Sequence, residues 1–332
     1  METTVANHSL LEVKNLKQYF PVKRDSIFQP KSYVKAVDDV SFFLKEGETL
    51  SIVGESGCGK STTGRAILRL DEPTDGEIYY SGHNILNLNK KELRKLRKDL
   101  QIIFQDPFSS LNPRRTVKQM LNEAMAIQKV VEKQNRLARM EELLQIVGLP
   151  TEALDRYPHE FSGGQRQRLG IARALAVNPK LIICDEAVSA LDVSIQAQIL
   201  NLLKKLQKQF QLTFLFISHD LSVVRHISDR VMVMYLGKVV EIADKKDLFE
   251  QPSHPYTKAL ISSIPIPDPK IKRERVLLKG DVPSPINPPT GCRFHTRCPF
   301  AVEKCRAVEP ALREMKPNHF VSCHFAEDFD QQ

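Results

Sequence analysis

A chain of 332 residues, 42% hydrophobic and 27% charged, can bury one large core with an appendage or two smaller cores. Its balance excludes the collagenous, low-complexity and membrane-embedded classes, and its longest apolar runs, LIIC from Leu181 and VMVMYL from Val231, fall far short of the roughly 18 to 20 residues that cross a bilayer. The net charge of +8 suits a polyanionic partner, which could be ATP, nucleic acid or an anionic membrane face, without choosing among them.

The opening METTVANHSLLEVKNL lacks the basic flank and continuous apolar core of a secretory signal, which predicts a cytoplasmic location. LEVKNLKQYF and VDDVSFFL then read as strands joined by a basic, Pro-containing connection. From Leu11 to about Ala243 apolar, β-branched runs alternate with helical patterns, the signature of an α/β domain. TLSIVG, QIIFQ, LIICDE and TFLFIS are the expected strands, and helices are expected over 60–70, 90–98, 134–147, 163–176 and 193–210. In the last of these Ile195, Ile199, Leu202, Leu203 and Leu206 recur at helical spacing and should face a core. VMVMYLGKVVEIA reads as a hairpin turning near Gly237. Beyond about Gln251 prolines crowd the chain, so an extended linker is expected in place of regular helix, followed by a small module carrying Cys292, Cys298, Cys305 and Cys323. In a reducing compartment that cluster points to metal ligation before disulfides.

The strongest local signal is GESGCGKST from Gly54, which lies between an expected strand and an expected helix. Gly54, Ser56, Gly57, Cys58 and Gly59 would wrap backbone N–H groups around phosphates at a helix N-terminus. Lys60 would reach the β and γ oxygens, Ser61 would bind Mg²⁺, and Thr62 would assist at the α-phosphate. LIICDE ends in two carboxylates: Asp185 would hold Mg²⁺ through water, and Glu186 would act as general base on the attacking water. Between the two lies FSGGQRQRLGIARAL from Phe161. Here Ser162, Gly163, Gly164 and Gln165 open a helix and form a second anion site.

That run resembles the signature of the ABC ATPase family, usually LSGGQ, and the family's other elements follow in order: Gln105 after QIIF, SALD from Ser189 to Asp192, and His219 in FISHD. The resemblance implies an ABC ATPase fold: a P-loop NTPase with a RecA-like core, a helical subdomain over about 106–176 and an antiparallel β subdomain. It also implies that the signature caps the γ-phosphate held by the opposite subunit of a dimer, and that Gln105 contacts Mg²⁺ or the attacking water. His219 would orient the γ-phosphate and Glu186, Asp192 would belong to the loop linking the two sites, and Tyr19 would stack on adenine with Phe20 as a neighbouring rival. Phe161 replaces the usual Leu, and Ala187 follows Glu186 where the family commonly has Pro. Hydrolysis is expected to survive both changes.

Over nearly the whole chain the resemblance is closest to the ATPase subunits of bacterial oligopeptide/dipeptide importers, through QDPFSSLNPR, SHPYTKAL from Ser253, GDVPSPINPPTGCRFHTRCP and the late Cys323. It implies a cassette over 1–250 and an importer extension over 251–332. The expected assembly is peripheral on the cytoplasmic face of the membrane: two permease subunits, a second and different ATPase subunit, and an extracytoplasmic peptide-binding protein. Phe108 and Leu111 would lie where a permease docks. Nickel import is the near alternative; a soluble ABC ATPase acting on nucleic acid or ribosomes is the distant one, disfavoured by a single cassette without long inserted arms. The spacing C-x5-C-x6-C-x17-C resembles a region implicated in holding a [4Fe-4S] cluster in these ATPases. Zn²⁺ and free thiols remain open beside it, although zinc sites favour tighter cysteine pairs. Cys58 and Cys184 are expected to be small packing residues.

Overall fold

The computed structural model of the chain describes residues 9–23, 31–106, 111–264, 278 and 280–329. In chain order the strands are β1 (Ser9–Pro21), β2 (Tyr33–Lys45), β3 (Thr49–Val53), β4 (Asp75–Tyr80), β5 (His83–Asn84), β6 (Leu100–Ile103), β7 (Leu181–Asp185), β8 (Thr213–Ile217), β9 (Arg230–Tyr235), β10 (Lys238–Asp244), β11 (Arg313–Lys316) and β12 (His319–Val321). The α-helices are α1 (Lys60–Ile67), α2 (Lys90–Leu96), α3 (Val117–Gln128), α4 (Arg136–Ile146), α5 (Gly163–Leu175), α6 (Val193–Phe210), α7 (Leu221–Ile227), α8 (Lys245–Glu250), α9 (Pro255–Ser262), α10 (Glu303–Ala307) and α11 (Ala326–Phe329). Among the described residues no helix is long and apolar enough to cross a membrane.

Two compact units divide the chain. One comprises Met1–Leu44, Leu50–Leu86 and Ser218–Gln332; the other comprises Lys45–Thr49 and Asn87–Ile217. In the second unit β6, β7 and β8 run parallel, with Leu100 facing Leu181 and Leu181 facing Thr213. Every residue of β7 and β8 is buried, which explains why LIIC and TFLFI read as continuous apolar runs with no polar alternation. α6 spans the expected residues. Asp192 caps its start by accepting from the Ile195 N–H at 3.0 Å, Gln211 closes it in a left-handed conformation, and Ile199, Leu200, Leu202, Leu203 and Leu206 are buried along one stripe. α3 begins in a capping box between Thr116 and Gln119, a start signal that the reading of the sequence passed over.

In the first unit β3 and β9 pair in parallel, and β9 and β10 form the expected hairpin, with Leu236 and Gly237 both at positive φ in the turn. β12 pairs on β10 and β11 on β12, so the cysteine-bearing segment contributes strands to the same layer. β2, β1, β4 and β5 form a separate sheet, antiparallel where β1 meets β4 and β4 meets β5. The expectation of an extended linker immediately after Gln251 is corrected by α9. Pro255 takes the first helical position, where its missing N–H costs nothing, and the His254 ring accepts the Tyr256 N–H at 3.1 Å as the cap. Pro-rich composition marked a helix start there. The proline-rich run PIPDPK, 265–270, lies outside the described residues.

Candidate functional site

The loop after β3 has the backbone that a phosphate cradle requires. Gly54, Gly57 and Gly59 have φ of 152°, 79° and 103°, a region costly for residues with a side chain. Space restricts two of them further. A Cβ on Gly54 would stand 2.1 Å from the Met234 carbonyl oxygen, and one on Gly59 would stand 2.1 Å from the Ala36 carbonyl oxygen. The Gly237 N–H donates to the Cys58 oxygen at 3.0 Å, tying the loop to the β9–β10 turn. Lys60, buried at the start of α1, donates from Nζ to the Gly54 and Glu55 oxygens at 2.8 and 3.0 Å. Ser56 and Gly57 are exposed, Ser61 and Thr62 half-buried. Cys58 is buried and its thiol pushed up by burial; Cys184, fully buried in β7, is pushed up for the same reason.

On the same unit Tyr19 is half-buried, and its hydroxyl donates to Asp38. Burial, and then that carboxylate, push the phenol well above its ordinary value. Phe20 is 37% exposed. His219 is exposed, just beyond β8.

The second unit brings two of the expected catalytic residues together: Gln105 Nε2 donates to Glu186 Oε2 at 2.7 Å. Asp185 ends β7, 9% exposed. Glu186 leaves the strand at φ 47°, its N–H bonded to the Ile217 oxygen at 3.0 Å. A left-handed glutamate is strained, and such strain concentrates where function fixes a side chain. Sequence periodicity gave no signal for it. In the FSGGQ run Ser162 caps α5, its Oγ accepting from the Gln165 N–H while Gln165 Oε1 accepts the Ser162 N–H, a reciprocal box. Ser162, Gly163 and Gln165 are exposed, leaving this helix start open to solvent. Gly164 is required by its neighbour, because a Cβ there would lie 2.5 Å from Ile195 Cγ2. Ile195 is only half-buried, unlike the rest of its stripe.

Of the expected permease contacts, Leu111 is 2% exposed and therefore packs within its own chain, which corrects the expectation that it faces a partner. Phe108 lies outside the described residues.

Cys292, Cys298, Cys305 and Cys323, which together span some thirty residues of sequence, line one cavity of about 20 Å³ walled by Phe294, Phe300, Phe325 and Phe329. The Cys292 N–H donates to the Cys305 oxygen at 2.8 Å. Burial pushes the Cys292 thiol up to about 12 and Cys323 to about 11, and raises Cys298. Among the described residues, however, no three His, Cys, Asp or Glu side chains stand ready to hold a metal ion. The expected iron-sulfur or zinc set therefore does not appear as a preformed metal site. What the fold provides is convergence of four soft donors on one apolar gap, chemistry that suits a thiophilic metal.

Beside the gap an aromatic core fixes the segment. Tyr235, Tyr256 and Phe294 meet at centroid distances of 4.8 to 5.3 Å. Glu241 on β10, fully buried, accepts from the Ser253 and His254 N–H groups and pairs with His319 Nε2 at 2.8, 3.0 and 2.8 Å.

Known proteins share this fold. A family profile for ABC transporters matches residues 37–189, and one for the oligopeptide/dipeptide transporter C-terminal region matches 240–305. The chain is 57% identical to the oligopeptide transport ATP-binding protein AppF of Bacillus subtilis (strain 168), over 97% of this chain and 99% of that protein. It is 56% identical to the putative oligopeptide transport ATP-binding protein YkfD of the same strain, over 95% of each. Among solved structures, the dimeric post-hydrolysis ATP-binding cassette MJ0796 bound to ADP and Pi aligns with a TM-score of 0.61 at 32% identity, covering 71% of this chain and 98% of that one. The chain belongs to the ABC transporter family, among the ATP-binding subunits of its oligopeptide/dipeptide importers.

Proposed function

We propose that this chain hydrolyses ATP to drive uptake of oligopeptides or dipeptides across the bacterial cytoplasmic membrane, from a peripheral position on its cytoplasmic face. The observation that carries the reading is the union, in one chain, of an ATP-binding cassette with the C-terminal region of peptide transporters. In this reading 1–250 is the cassette, with its helical subdomain over about 106–176, and 251–332 is the importer extension. Gly54 to Thr62 cradle the phosphates and Lys60 neutralises the β and γ oxygens. Ser61, Gln105 and Asp185 hold Mg²⁺. Glu186 takes the proton of the attacking water while Gln105, hydrogen-bonded to it, fixes its carboxylate. His219 orients the γ-phosphate, and Tyr19 stacks on adenine.

The start of α5 at Ser162, Gly163, Gly164 and Gln165 is the element that meets ATP on a second ATPase subunit, and Asp192, just before α6, belongs to the loop joining the two sites. The dimeric state of the similar cassette supports that arrangement. The partner is a different ATPase, and the pair works on two permeases supplied by an extracytoplasmic peptide-binding protein. Glu186→Gln should retain ATP binding and lose more than about 100-fold in turnover, with peptide uptake lost in parallel; ordinary hydrolysis would remove Glu186 from its role. Co-purification of the tagged chain from solubilised membranes should recover two multi-span permeases and a second ATPase.

The four cysteines, in the same reading, hold a [4Fe-4S] cluster that braces the C-terminal segment and takes no part in hydrolysis. What supports the reading is the convergence of four cysteine side chains on one apolar gap, soft donors that suit a thiophilic metal, together with the resemblance of their spacing to that of these ATPases. Iron and sulfide assays on anaerobically purified protein should find both; zinc without iron would overturn the assignment.

A further inference from the structure

Two arginines next to the cysteines reach into the nucleotide machinery. Arg297 precedes Cys298, and its guanidinium grips the Glu55 carboxylate with both Nη atoms, at 2.6 Å to Oε2 and 3.1 Å to Oε1. Glu55 is the second residue of the phosphate cradle. The Arg297 side chain is 8% exposed and Glu55 29%, so the pair is largely withdrawn from solvent on the arginine side. The same cradle residue is held a second time, its N–H donating to the Tyr256 hydroxyl on α9 at 2.9 Å. Arg293 follows Cys292. It pairs with Asp38, donates to the Leu236 oxygen, and is 7% exposed along its side chain. Asp38 in turn accepts the Tyr19 hydroxyl.

We propose that Arg293 and Arg297 are positioning residues for ATP: Arg297 neutralises and fixes Glu55 at the phosphate cradle, and Arg293 holds Asp38, and through it Tyr19, at the adenine end. The physical need is clearest at Glu55. A bare carboxylate in a loop that must receive three phosphates repels them, and a forked guanidinium both cancels that charge and locks the side chain in one orientation. At the other end a neutral, freely rotating substitute for Arg293 would leave the buried Asp38 without its cation and Tyr19 without a fixed anchor. The small turn carrying the first two cysteines thus touches both ends of the nucleotide through side chains four residues apart. The inference rests on the reading of 54–62 as the ATP cradle and of Tyr19 as its adenine platform.

The test uses the full chain with ATP and, separately, inorganic triphosphate, which lacks adenine. Arg297→Gln should weaken both ligands at least about fivefold, and adding Glu55→Gln in that background should restore them, because the uncancelled carboxylate is gone. Arg293→Gln should weaken ATP by a similar factor and leave inorganic triphosphate unchanged. A purely architectural role for Arg297 predicts no rescue by Glu55→Gln, and that result overturns the proposal, as does unchanged ATP affinity in Arg297→Gln. If Arg297→Gln fails to fold, Glu55→Gln alone decides: triphosphate binding should hold or tighten, and a fivefold loss overturns the electrostatic role. Lys60→Ala separates the premises. If it binds ATP normally, the cradle assignment fails; if it does not bind while the arginine variants bind normally, only the present inference fails.

Discussion

The phosphate cradle and the cysteine-bearing segment are both parts of the first unit, yet they are made rigid by opposite means. The cradle depends on what is left out: side chains are absent at Gly54 and Gly59 so that carbonyl oxygens of neighbouring strands can approach. The segment depends on what is put in, namely a buried carboxylate with three donors, an aromatic cluster and two arginine forks. The first kind of rigidity cannot be adjusted by small degrees, since a methyl group either fits or does not. The second is a sum of polar contacts, each removable in turn, and should respond in graded fashion to mutation and pH.

The sharpest way to break this contrast is Gly59→Ala. Both the left-handed backbone and the 2.1 Å approach to Ala36 forbid the methyl, and loss of ATP binding beyond detection is expected, with destabilisation of more than about 4 kcal/mol. Gly57 serves as the control: it too has positive φ, but nothing lies within 4 Å of its added Cβ, so alanine there should cost only about 1–2 kcal/mol. Equal losses at the two positions, by denaturant unfolding, would mean that conformation and not crowding sets the cradle.

Next in size is Glu241→Ala, which strands two N–H groups and the His319 ring inside the protein. A loss of about 3 kcal/mol is expected, read as a lower unfolding midpoint, with ATP affinity changed less than in the cradle variants. Were Glu241→Ala neutral, the carboxylate would not be what holds the segment.

The smallest effect concerns acid. Burial depresses the His254 imidazole from 6.5 to about 4, while the unfolded chain protonates near 6.5. Between those values the unfolded state binds more protons, so stability is full above about 6.5 and declines as pH falls toward 4, by up to about 3 kcal/mol. Protonating the ring at Nδ1 also removes the acceptor that caps α9. His254→Asn, which keeps a capping oxygen, should flatten that decline in a pH series of melting temperatures; an unchanged slope would assign the acid sensitivity elsewhere.

Much of the fold was legible because its signals are local. β7 and β8 announce themselves by apolar runs, α6 by its helical stripe, and the β9–β10 hairpin by Gly237; the Asp192 cap of α6 was passed over. The cradle was legible for the same reason, since nine consecutive residues carry it. The order of Gln105, Glu186 and His219 became readable through resemblance, as a lone Gln after a strand carries no message. The arginine forks were not legible. Arg297 meets a partner 242 residues away and Arg293 one 255 residues away, and no period or cap connects such distant positions. The left-handed turn at Glu186 was hidden as well, for that residue type does not advertise positive φ as glycine does.

The Tyr256 hydroxyl that takes the Glu55 N–H, together with the two arginines, bears on modularity. A cassette cut from this chain after Glu250 would leave Asp38 and Glu55 without their cations and one cradle amide without its acceptor. Grafting the extension onto another cassette would require an acid at both matching positions. Engineers who exchange parts between transporters of this kind should therefore move the extension and those two carboxylates as a single unit of inheritance.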